Sequence, residues 1–242
     1  MKISYISNLI KIFIILSFFI PFSVLSEKTR VDEVPMYGGM DRTKNKSLRK
    51  GDKKFIDGVT KKFGSRENAS QIWVETGFSY YQNNQLEMAM RRFNQAWLLN
   101  PENPEVYVGF ASVLHDQGKH CEAKDFMNKS LELNPPLNQG IYADAARVTA
   151  LCALSENKSS ESENKILLEE SEQLFKKSEE IEPNKQYLYG LWASSYYWQG
   201  RYIEAWEMIQ KQRENGGEPS PHFLSLLKEK EPNPNILKSN KQ

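Results

Sequence analysis

The chain has 242 residues with 39% hydrophobic, 26% charged and 12% aromatic residues, and its formal charge is +1. Aromatics at that level exclude a fully disordered chain, and near-neutrality gives no polybasic footprint for nucleic acid. Three His and two Cys are too few for a metal site built on those residues alone, so no metal and no cofactor is expected.

The first segment, 1–26, has the three parts of a secretory signal. Lys2 and Lys11 precede an apolar run from Ile12 to Ile20, Pro21 breaks it, and Val24-Leu25-Ser26 follows. The run is shorter than the roughly 20 residues a membrane-spanning helix needs. Cleavage near Ser26 is expected, giving a periplasmic or secreted protein; the alternative is an uncleaved N-terminal anchor.

Residues 27–46 read as extended or disordered. From 47 to 69 an amphipathic capping helix is expected. Phe55, Ile56, Val59 and Phe63 form its apolar stripe, with Lys53, Lys54, Lys61 and Lys62 alongside. Those lysines leave open a peripheral contact with a membrane surface.

A repeat begins at Ser70. Trp73, Gly77 and Tyr80 are followed by Ala89, Phe93, Ala96 and Pro101. Further on, Tyr107, Ala111, Leu114, Ala123, Met127, Ser130 and Pro135 keep the same intervals, with Gly118 in the turn. A looser copy follows, with Ala145 and Val148 on a first helix from Ile141 to Leu154. Its second helix is read as Ile166 to Ile181, closed by Pro183, and a polar insertion, 155–165, is read as a solvated loop. The last copy runs Tyr189, Trp192, Ala193, Tyr196, Gly200, Ala205 and Ile209, ending at Gly216-Gly217. Small residues let two helices approach, large ones fill the space between them, and each Pro stops a second helix.

This pattern closely resembles the tetratricopeptide repeat (TPR) family, whose period is about 34 residues. Only Thr76 departs from the motif in the first copy. The resemblance implies an all-α, right-handed superhelical solenoid of antiparallel helix pairs. Its repeats would span 70–103, 104–137, 138–185 and 186–219, with a capping helix at 220–231 and a disordered tail at 232–242. Stacked pairs bury the apolar faces that a single pair cannot.

The resemblance also carries a functional expectation. In the family, the second, fifth, ninth, twelfth and thirteenth positions of each first helix face a concave groove. These map to Gln71, Val74, Phe78, Tyr81 and Gln82 in the first repeat, and to Glu105, Val108, Ser112, His115 and Asp116 in the second. The third offers Gln139, Tyr142, Ala146, Thr149 and Ala150; the fourth offers Tyr187, Gly190, Ser194, Tyr197 and Trp198. The groove so read is aromatic and weakly charged, and it lacks the Lys/Asn/Arg set with which chaperone-binding members clamp a C-terminal carboxylate.

A protein or peptide partner is therefore expected for Phe78, Tyr81, Gln82, His115, Asp116, Tyr142, Tyr187, Tyr197 and Trp198. The expected role is an exported adaptor or scaffold. Its alternatives are an assembly factor for an envelope machine, such as a pilus or secretion system, and a carrier or sensor of a small hydrophobic ligand. In such a stack Cys121 and Cys152 sit at adjacent helix ends, which favours a disulfide in an oxidising compartment; two separate buried thiols are the alternative. His115-Asp116 invites a general-base reading, but no nucleophile arrangement accompanies it, and no enzyme activity is expected.

Overall fold

The computed structural model describes residues 29–155 and 160–234, so the signal-like segment and most of the tail lie outside the described residues. Within them the chain is helical, with no strand. Ten α-helices follow one another: α1 (Lys46–Phe63), α2 (Arg66–Gln82), α3 (Leu86–Leu99), α4 (Pro104–Asp116), α5 (His120–Glu132), α6 (Ile141–Ala153), α7 (Glu161–Ile181), α8 (Lys185–Trp198), α9 (Tyr202–Glu214) and α10 (Pro221–Lys230).

The tightest packing is within four consecutive pairs, α2/α3, α4/α5, α6/α7 and α8/α9. Three apolar clusters join successive pairs. Phe93, Val106, Phe110 and Val113 link the first pair to the second. Ala111, Leu114, Met127, Ile141, Ala145 and Val148 link the second to the third. Phe175, Leu188, Trp192 and Tyr196 link the third to the fourth. The Phe93 ring is the tightest of these contacts. A Cβ added at Gly77 or Gly109 would stand 2.5 or 2.4 Å from it, so two helices can close on one aromatic only because both positions lack a side chain.

Local sequence sets the helix ends. The Asn45 carboxamide accepts the Ser47 and Leu48 N–H groups at the start of α1, and Ser65 accepts from Asn68 at the start of α2. Gly64, at φ +88°, lies between them. The single helix expected over 47–69 is therefore two: it breaks after Phe63, and the first helix of repeat one begins at Arg66 rather than Ser70.

Two other expectations are corrected. Residues 31–44 are neither extended nor disordered. Three short 3-10 turns, Val31–Glu33, Pro35–Gly39 and Arg42–Lys44, form a strap that packs on α3 and leads into α1. Fully buried Asn94 anchors it: its carboxamide oxygen accepts the Tyr37 N–H (2.9 Å), and its amide donates to the Asp32 and Val34 carbonyls. The polar insertion, in turn, is not a loop throughout. α7 starts at Glu161, where Ser160 and Glu163 form a reciprocal capping box. Four helical residues beyond Glu161 thus precede Ile166, the expected start.

α6 has no cap of its own; it begins at Gly140 in a left-handed conformation. Glu182, 2% exposed at the end of α7, supplies one. Its carboxylate accepts the Tyr142 N–H (3.0 Å), the Ala143 N–H (3.3 Å) and the Ser178 hydroxyl. A carboxylate at a helix N-terminus satisfies free N–H groups and complements the helix dipole.

Candidate functional site: the concave face of the first helices

Two polar strips run across successive first helices. At one edge the Glu105 carboxylate, 8% exposed, accepts from the Gln71 amide at 2.7 Å and from the Gln139 amide at 2.8 Å. Each pair is 34 residues apart, so equivalent positions of successive repeats join in a row. Val74, Phe78, Ser79 and Gln82 line the hollow beside this row, which encloses about 420 Å³.

The second strip is longer and charged. Tyr81 lies beside Asp116; burial, then the Asp116 carboxylate, pushes its hydroxyl up to about 12. His115 Nε2 stands 2.9 Å from Arg147 Nη1, and His115 Nδ1 stands 3.1 Å from His120 Nδ1. Arg147 pairs with Asp144 at 3.6 Å, and the Tyr187 hydroxyl donates to Asp144 at 2.8 Å. Burial raises the Asp144 carboxyl and, with Asp144 beside it, the Tyr187 hydroxyl. Burial and the Arg147 charge lower both His115, to about 4, and His120. Side chains from α4, α5, α6 and α8 are thereby linked.

Cys121, in the first turn of α5, is bridged to Cys152, in the last turn of α6, across 31 residues. The bridge lies next to the histidines, since His120 precedes Cys121. Among the described residues no group of three His, Cys, Asp or Glu side chains could hold a metal ion.

Residues 104–136, which are α4 and α5 with their flanks, match the tetratricopeptide repeat family model. The α4/α5 pair is therefore a tetratricopeptide repeat. Neither the curated proteins nor the solved structures include a match to it.

Within the TPR frame the third repeat is out of step. Val106, Phe110 and Val113 of α4 pack back on the preceding pair. The residues of α6 that do so are Ile141, Ala145 and Val148. Each lies one residue beyond the spacing that joins Gln71 to Glu105. The extra residue is Gly140, at φ +75°, inserted just after Gln139 has taken its place in the Gln–Glu row. A Cβ there would stand 2.7 Å from the Tyr187 ring. Gly140 therefore serves both the left-handed turn and the close approach of α8.

This slip decides which expected groove residues meet. Tyr81, His115, Asp116 and Tyr187 belong to the charged strip, and Phe78 and Gln82 line the hollow. Tyr142 is the correction: with α6 turned by one residue, Arg147 reaches His115 and Asp144 reaches Tyr187. Half-buried Tyr142 falls about 140° from Arg147 and about 160° from Asp144 around α6, on the side of Thr149 and Ala153, both buried. Tyr197 packs against Tyr202 and against Phe223 of α10. Trp198, beside it, is 62% exposed. Arg147 and Asp144 were missed, and the face is more charged than the sequence implied.

Proposed function

We infer that this TPR protein is an adaptor that takes a peptide or protein segment along the concave face of its first helices. TPR domains are protein-interaction scaffolds. The observation that supports the inference is that polar and aromatic side chains occur on consecutive first helices: Phe78 and Gln82 on α2, Asp116 on α4, Arg147 on α6, Tyr187 and Trp198 on α8. Trp198 has a large aromatic surface in water and packs edge-on with Tyr197. Exposed aromatics of this kind dominate binding hot spots. The disulfide supports an exported, oxidising location. Among the described residues no helix is long and apolar enough to cross a membrane.

The test is capture of partners from the native compartment by the tagged chain and by a variant carrying Gln82→Ala, Asp116→Asn and Trp198→Ala. All three positions are exposed, so circular dichroism should match the parent. A protein held by the parent and lost by the folded variant is expected. A partner held equally by both would move recognition off this face.

A further inference from the structure

Charge is segregated along this chain. α1 has seven Lys and Arg residues against two Asp, a net of +5 in a chain whose total is +1. At 100° per residue, Lys46, Lys50, Lys54 and Lys61 fall in one row, and all four are exposed. Phe55 and Phe63 turn instead toward Trp73 of α2.

Beside the lysine row lies a cavity of about 400 Å³ between α1, the strap and the end of α3. Met40, Ile56, Trp97 and Leu98 give it apolar walls. The size is that of a small-molecule site. It shares no residue with the concave face. Three carboxylates line it, and each is already paired: Asp52 with Arg42 at 2.6 Å, Asp57 with Lys53 at 2.7 Å and Asp41 with Lys44 at 3.2 Å. Arg49 also lines it, and its exposed guanidinium has no ion pair among the described residues.

An apolar interior with one uncompensated cation at its wall, and more cations alongside, is complementary to an anion that carries a hydrocarbon tail. Burial of the tail provides the hydrophobic gain, and the guanidinium takes the head group by charge-assisted hydrogen bonds. We propose that this cavity binds the acyl chain of an anionic amphiphile, with the acidic head group on Arg49. A free fatty acid and an anionic phospholipid share this chemistry. The site stands or falls apart from the peptide reading, because neither uses the other's residues.

The test uses the full chain and dansyl-labelled undecanoic acid, whose emission rises on leaving water. Saturable binding is expected, with displacement by dodecanoate and not by dodecanol at equal concentration. Arg49→Glu, at an exposed and unpaired position, should weaken probe binding by about ten-fold or more. Met40→Trp, which fills the cavity from a half-exposed position, should abolish it. Displacement by vesicles of phosphatidylglycerol as well as by dodecanoate would make a membrane lipid the source; displacement by dodecanoate alone would make it a soluble fatty acid. Absence of probe binding, equal competition by dodecanol, or unchanged binding in both variants would each overturn the proposal.

Discussion

Arg147 Nη1 lies 2.9 Å from His115 Nε2. A guanidinium can only donate, so His115 Nε2 accepts and the imidazole carries its proton on Nδ1. That proton points at His120 Nδ1, 3.1 Å away, which must accept in turn. The geometry therefore requires His115 to be neutral. Burial, Arg147 and His120 all disfavour its charged form, only Asp116 favours it, and it titrates near 4 instead of 6.5. The sign follows. Above pH 6.5 the ring is neutral folded and unfolded, and stability is full. Between 6.5 and 4 the unfolded chain takes a proton that the fold refuses, and stability falls; below 4 the loss is complete. Thermal midpoints should drop across that window, and less so in His115→Gln. Asp144, raised by burial above its ordinary 3.8, acts in the opposite sense in an overlapping pH range, so the difference between the two proteins is the measurement. Parallel profiles would contradict the assignment.

Reduction of the Cys121–Cys152 bridge should be felt by the whole stack. It closes 31 residues and ties the start of α5 to the end of α6. On the chain-entropy account a loop of this size contributes about 3–4 kcal/mol. Urea unfolding with and without reductant should give a lower midpoint for the reduced protein, and Cys121→Ser should match the reduced state. Equal midpoints would mean that the strain of the bridge cancels its entropy.

The first two repeats were legible because size alternates sharply along them: Gly77 and Gly109 frame Phe93, and Tyr107 stands against Phe126. α6 lacks that contrast. Ala143, Ala145, Ala146, Ala150 and Ala153 fit any register equally well, so an even period was carried through Gly140, and Arg147 and Asp144 were missed. The strap was invisible for another reason: its partner is a single amide, Asn94, far along the chain. The start of α7 was legible and unread, since Ser160 and Glu163 have capping-box spacing.

The same substitution should have opposite signs at two glycines. Gly109→Ala places a methyl 2.4 Å from the Phe93 ring, with the ring enclosed on its other side by α2. Overpacking of this kind costs about 1–3 kcal/mol. Gly51→Ala meets nothing within 4 Å on the exposed side of α1, where replacing Gly in a helix gains up to about 1 kcal/mol. Denaturation midpoints should move down for the first and up for the second. A neutral Gly109→Ala would show that Phe93 has room to turn.

Asn94→Ala should free the strap and leave the stack folded. The substitution strands the Tyr37 N–H and the Asp32 and Val34 carbonyls, at about 1–3 kcal/mol for each group that stays buried. Met36 and Tyr37 hold φ of 51° and 53°, conformations that cost about 1–3 kcal/mol each and persist only while their surroundings enforce them. Other ties are the ion pairs of Arg91 with Asp32 and Glu33, the Arg42–Asp52 pair and the Tyr37–Trp97 contact. None of them satisfies the three backbone groups that the Asn94 carboxamide holds. Trypsin should then cut at Arg42 and Lys44 much faster than in the parent, with helical content nearly unchanged. Because Met40 walls the cavity against α1, the same variant should also lose the anionic-amphiphile probe. Equal cleavage rates would mean that Arg42, paired with Asp52 at 2.6 Å and lying 4.0 Å over the Tyr37 ring, is the anchor in place of Asn94.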